Sequence, residues 1–121
     1  MTTIDPKHLL GTLAIHAGHE DNSHHAHVTP IYETSTFAFP DVATGQAIWR
    51  GEQPGHIYTR LSNPNAQEAA VKIAVIEGID LLREKNATTV EEHVSGWLFG
   101  SGMAAITTTM LTLLKSGATL I

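Results

Sequence analysis

The sequence predicts an α/β chain that opens a sheet without completing it, and three observations carry that prediction. Val94 to Phe99 is an apolar run that reads as a buried strand, followed by the tight turn Gly100-Ser101-Gly102. Met103 to Lys115 then places Met103, Ile106, Met110, Leu113 and Leu114 at helical spacing, with Ser101 as a good N-cap, Lys115 in the last turn and Gly117 just beyond it. Ala118 to Ile121 reads as the opening of another strand. A parallel sheet needs both faces and its neighbouring strands covered, so residues 1–121 alone are expected to be marginally stable or to aggregate.

Ahead of that unit the chain divides into an N-terminal arm, residues 1–62, and the start of the α/β domain, residues 63–121. The first forty residues read as extended chain and loop, because Pro6, Gly11, Gly18, Pro30 and Pro40 interrupt any long helix. Thr29 to Phe39 is rich in β-branched and aromatic residues between two prolines, and reads as extended backbone pinned on another surface. An arm of that length does not bury itself, so a partner surface is expected. Asp41 caps a short helix through about Trp49, and His56 to Leu61 is a short extended segment. Ser62-Asn63-Pro64-Asn65 is turn chemistry at a helix start. From there Ala66, Ala69, Ala70, Ile73 and Ile76 form one apolar stripe. Gly78 weakens the helix, Ile79 to Lys85 continues it or begins another, and Asn86 to Val90 reads as a surface turn. Thr89 and Glu92 have capping-box spacing.

Composition narrows the function classes. Apolar residues make up 42% and charged residues 16%, enough apolar surface for a folded chain. The net charge is −5 and the basic residues are scattered, which argues against nucleic acid as a partner. The chain has no cysteine, so disulfides and thiolate metal sites are excluded. No run approaches the ~20 apolar residues of a membrane helix. The first residues lack the blocks of a signal peptide, so the cytoplasm is the expected compartment.

Two groups of residues look like parts of a binding site. The helix N-terminus that follows the Gly100-Ser101-Gly102 turn offers free backbone N–H groups and a partial positive charge, which suits a phosphate. Small residues allow close approach, and the Ser101 hydroxyl adds a hydrogen bond. The same glycines also serve a plain strand-to-helix turn, and Gly100 to Ala105 further fits Gly-x-Gly-x-x-Ala, the dinucleotide-binding fingerprint. Tyr58 and Arg60, two apart in an extended segment, project to one side as a phenol and a guanidinium suited to phosphate. The competing reading is a surface arginine lying beside a half-buried tyrosine. Six of the eight histidines lie between His8 and His27, and their loop setting reads as solvated rather than metal-binding.

Four ordered stretches carry a resemblance: Ala14-Ile15-His16-Ala17-Gly18, Pro30-Ile31-Tyr32-Glu33-Thr34-Ser35-Thr36-Phe37, Tyr58-Thr59-Arg60-Leu61-Ser62-Asn63-Pro64-Asn65, and Ser101-Gly102-Met103-Ala104-Ala105-Ile106. Together they resemble the Cys/Met-metabolism pyridoxal-phosphate family, which includes cystathionine lyases and synthases, methionine γ-lyase and O-acetylhomoserine sulfhydrylase. The resemblance implies the start of a type I aminotransferase-like domain with pyridoxal 5′-phosphate as cofactor. It implies that Ser101, Gly102 and Met103 hold the cofactor phosphate, with Gly102 and Met103 N–H groups as donors. It implies that Tyr58 and Arg60 reach the phosphate bound by a neighbouring subunit of a dimer of dimers, on which the arm also packs.

The segment Ile79 to Val94 is longer than the family pattern, an insertion that costs little in loop entropy. The ring-stacking aromatic, the aspartate at the pyridine nitrogen and the Schiff-base lysine of the family lie beyond these positions, and Lys7, Lys72, Lys85 and Lys115 do not stand in that lysine's context. The expectation is the N-terminal portion of a lyase or transferase acting on sulfur or homoserine-derived amino acids, the chain alone being inactive. The alternatives are a non-catalytic assembly module and a dinucleotide-binding α/β unit.

Overall fold

The computed structural model describes residues 2–19 and 24–119. Its helices among the described residues are α1 (Leu10–His16), α2 (Val42–Trp49), α3 (Pro64–Glu77), α4 (Ile79–Glu84) and α5 (Gly102–Leu113). β pairing among these residues is confined to two isolated antiparallel bridges, Thr3 with Thr89 and Thr36 with Tyr58. No helix here is long and apolar enough to cross a membrane.

α3 is the spine. Asn63 caps it by accepting a hydrogen bond from the Asn65 N–H, and Pro64 sits in its first turn, where a missing N–H costs nothing. Its buried face is Ala70, Ala74 and Val75 rather than the whole expected stripe, since Ala66 and Ile73 are exposed. The neighbours explain the shift. Gly18, at the end of the α1 segment, lies against Val71, and the backbone of residue 96 lies so close to α3 that a Cβ on Gly96 would stand 2.3 Å from the Ala70 carbonyl oxygen.

The core joins Leu13, Ala17, Val75, Leu82, Ala87 and Val90, with Ile4, Val71, Ile79 and Val94 packed around it. Val75 and Leu82 are fully enclosed, and burying side chains of this size contributes about 1.5–3 kcal/mol each. α4 begins directly after Gly78, so Ile79 starts a new helix. It closes in a Schellman arrangement: Asn86 takes a left-handed φ of 47°, its N–H donates to the Arg83 carbonyl (3.1 Å), and the Ala87 N–H donates to Leu82 (2.9 Å). Leu82 and Ala87 thereby meet in the interior.

Several expectations are corrected. Residues 10–16 form a helix where extended chain was expected, because Leu13 and Ala17 are drawn onto α3. Residues 2–6 also meet the chain's own 83–90 segment, while Leu9, Leu10 and Ile15 stay exposed. The Ile4 N–H donates to Thr88 and the Val90 N–H to Thr2, each at 3.1 Å, and Arg83 Nε donates to the Pro6 carbonyl at 3.1 Å. The turn expected at 86–90 lies partly inside, with Ala87 and Val90 buried, and no helix follows the Thr89–Glu92 pair. Residues 94–99 are irregular rather than a strand, because no described strand lies beside them to supply ladder hydrogen bonds. Residues 118 and 119 likewise form no strand, and 120–121 of that expected element lie outside the described residues.

Candidate functional site

The segment bearing Tyr58 and Arg60 is fixed by hydrogen bonds to the arm. The Phe37 N–H donates to the Ile57 carbonyl (3.1 Å) and the Thr59 N–H to the Ser35 carbonyl (2.9 Å), on either side of the Thr36–Tyr58 bridge. The Thr59 hydroxyl donates back to the Thr34 carbonyl. Thr59 therefore faces the arm, and residues 59–61 turn there instead of continuing the extended segment expected over His56 to Leu61. The Arg60 guanidinium carbon sits 5.3 Å from the centre of the Tyr58 ring, a cation–π contact.

Downstream, the Leu61 and Ser62 N–H groups both turn back to the Tyr58 carbonyl, at 2.8 and 3.1 Å. His56 Nδ1 lies 2.9 Å from Ser62 Oγ, and the imidazole packs on Phe37 with ring centres 5.4 Å apart. Tyr58, Thr59 and Arg60 line an open hollow of about 590 Å³ with Tyr32, Glu33, Thr34 and Ser35. Among the described residues Arg60 has no carboxylate partner. Its charge is available to an anion.

Ser101, Gly102 and Met103 stand at the other candidate element, the N-terminus of α5. Ser101 caps the helix, its Oγ accepting from the Ala104 N–H at 3.2 Å, while the Ala105 N–H donates to the Ser101 carbonyl at 3.1 Å. The first turn thus leaves the Gly102 and Met103 N–H groups without an acceptor among the described residues, the two donors expected to meet phosphate. A Cβ on Gly100 or Gly102 would touch nothing within 4 Å, so both positions leave room for a group to approach the backbone. No described strand precedes this turn, which removes the context that a dinucleotide-binding fingerprint requires. These observations fit a phosphate-bearing cofactor: a helix N-terminus with open donors and an unpaired arginine braced on a tyrosine.

The structure brings Tyr58 and Arg60 together, and separately brings Ser101, Gly102 and Met103 together, on elements about forty residues apart in sequence. Sequence reasoning missed Asn63 and Asn65 as holders of the first pair. Asn63, 8% exposed, donates from Nδ2 to the Tyr32 carbonyl (3.0 Å) and to Thr59 Oγ1 (3.4 Å). Asn65 donates to the Pro30 carbonyl (2.8 Å) and accepts from the Tyr32 N–H (2.8 Å). The signal was present in Asn63-Pro64-Asn65, two side chains with both donor and acceptor flanking a proline, but a helix start alone accounted for them.

The remaining ionisable contacts are structural. Partial burial pushes Glu68 up, yet hydrogen bonds from Lys72 and Thr29, with the charges of Lys72 and His19, bring it below the ordinary carboxylate value. The Lys72–Glu68 pair is 2.5 Å long. Burial also opposes ionisation of Glu91, but backbone and Thr2 hydrogen bonds outweigh it and lower its pKa. Both Glu91 oxygens accept from the Thr2 N–H, at 2.8 and 2.9 Å.

Comparison with known proteins adds independent findings. A family model described as "Cys/Met metabolism PLP-dependent enzyme" matches residues 11–121. An L-methionine γ-lyase of Pseudomonas putida is 40% identical over 107 residues, 88% of this chain and 23% of that protein. A homocysteine/cysteine synthase of Saccharomyces cerevisiae is 36% identical over 76 residues, 60% of this chain and 17% of that protein. A Campylobacter jejuni crystal structure described as an O-acetylhomoserine (thiol)-lyase, carrying N′-pyridoxyl-lysine-5′-monophosphate, superposes with a TM-score of 0.73 at 26% identity, covering 92% of this chain and 24% of that one. The chain spans about a quarter of the length of that methionine γ-lyase and of the Campylobacter jejuni protein.

Proposed function

Since the chain belongs to the Cys/Met-metabolism pyridoxal-phosphate-dependent enzyme family, we propose that these residues form the N-terminal portion of an enzyme eliminating or replacing the γ-substituent of a sulfur or homoserine-derived amino acid. Relatives named as lyases and as synthases both support that pairing of reaction types. The proposed setting is the start of a type I aminotransferase-like domain within a dimer of dimers.

The family's cofactor is pyridoxal 5′-phosphate, and when bound it supplies the electron sink for carbanion chemistry. This chain's residues bind and orient it. The Gly102 and Met103 N–H groups and the Ser101 side chain receive phosphate oxygens at the α5 N-terminus, where the helix dipole favours negative charge. Arg60 neutralises phosphate charge through a pair of N–H donors, while Tyr58 braces the guanidinium and offers its own hydroxyl. The two groups stand on separate elements, which suits a reading in which Tyr58 and Arg60 serve the phosphate of a neighbouring subunit.

The observation that carries this proposal is the Tyr58–Arg60 pair, stacked at 5.3 Å and free of any described carboxylate. The test is cofactor affinity of the assembled protein, followed by absorbance during dialysis. Arg60→Ala should weaken retention of pyridoxal phosphate by roughly 10- to 100-fold, as loss of a charged hydrogen-bonding partner does. Retention equal to the parent protein would refute the assignment of Arg60.

A further inference from the structure

The posture of the Tyr58–Arg60 pair is set from behind, through Thr59. Its hydroxyl is engaged twice: it donates to the Thr34 carbonyl and receives the Asn63 Nδ2–H at 3.4 Å. Asn63 reaches the arm as well, donating to the Tyr32 carbonyl at 3.0 Å, while its oxygen caps α3 by accepting from Asn65 at 2.9 Å. One nearly buried amide therefore ties together the first turn of the spine helix, the arm at residue 32 and the residue between the two phosphate ligands. A buried amide left without its partners is costly, so the arrangement is held as a unit.

We propose that Asn63 is a positioning residue for phosphate recognition, holding Tyr58 and Arg60 in register through the Thr59 hydroxyl. The inference rests on the reading of Arg60 as a phosphate ligand. Without the tie, rotation of residue 59 would shift positions 58 and 60 relative to each other, since Thr59 opens the turn, closed onto the Tyr58 carbonyl, that brings Arg60 over the Tyr58 ring. The guanidinium would then need to be ordered by the ligand itself, and affinity would fall by the cost of that ordering.

The test uses the assembled protein, with pyridoxal phosphate and phosphate-free pyridoxal as probes. Asn63→Ser keeps a helix-capping oxygen but loses the amide donors. Thr59→Val removes only the hydroxyl, and Thr59→Ser restores it. Asn63→Ser and Thr59→Val should each weaken pyridoxal phosphate binding by about 10-fold, comparable with one lost hydrogen bond to a charged group. Pyridoxal affinity should be unchanged, and Thr59→Ser should recover the loss. The proposal is overturned if both variants retain parental affinity while Arg60→Ala does not, or if affinity for the two probes falls equally, which marks general damage. An Arg60→Ala variant that binds normally overturns the phosphate-ligand reading itself, and this inference with it. Thr59→Val decides the matter even where Asn63→Ser fails to fold.

Discussion

The segment carrying Tyr58 and Arg60 and the helix carrying Ser101 to Met103 are built in opposite ways. The first is held by the arm, by Asn63 and Asn65, and by its own turn onto the Tyr58 carbonyl. The second is capped but unsupported. α5 packs on no other helix, has no buried residue, and leaves Met103, Ile106, Leu111 and Leu113 at least half exposed. Trp97, five residues ahead of it, is 77% exposed. The contrast teaches that side-chain ties between nearby segments fix a binding segment's posture locally, whereas a helix with no packed neighbour has only its cap to hold it.

Substitutions can break or sharpen that contrast. The largest expected effect is at the core: Leu82→Ala should destabilise the 121-residue chain by about 2–5 kcal/mol, read as a shift in denaturant midpoint. Leu111→Ala in α5, 78% exposed, should stay within about 0.5 kcal/mol in the same chain. Comparable costs at the two leucines would erase the distinction.

Gly96→Ala comes next. The added methyl meets the Ala70 carbonyl, so segment 94–96 must lift from α3 at about 1–3 kcal/mol. Hydrogen exchange should then rise in the second half of α3 and leave α5 as it was. Ser101→Ala should cost about 1 kcal/mol of helix stability, seen as faster exchange confined to the first turn of α5. Spread of that effect into α3 would show a coupling that the packing lacks.

The smallest effect is with acid. Glu68 and Glu91 have native pKa values lowered from 4.5. Their contribution to stability is therefore complete above the unfolded value and is lost as pH falls through the native one. Glu68→Gln should flatten that decline, and a midpoint that falls just as steeply without the carboxylate would sever Glu68 from it.

Legibility from sequence followed locality. α2, α3 and α5 were readable because Asp41, Asn63 and Ser101 announce helix starts and the apolar residues behind them recur every three or four positions. Tyr58 and Arg60 were readable as neighbours from their spacing, although a turn at 59–61 rather than extended alternation brings them together. α1 was not, since Leu10–His16 is short and acquires its apolar contacts only from α3. The interior places of Ala87 and Val90 were also hidden, because they arise from the left-handed turn at Asn86 and from the return of residues 2–4. The apolar run 94–99 shows the converse limit. Composition can announce a strand, but a ladder needs a second chain segment beside it.

The pairing of residues 2–4 with 88–90 also bears on the order in which the molecule is made. Thr2, Thr3 and Ile4 are synthesised well before their hydrogen-bonding partners, which follow more than eighty residues later. Contacts this distant must wait for the intervening chain and for the entropy of closing it. On the ribosome α3 can form before residues 2–4 have anywhere to dock, so they settle later than the helix that follows them.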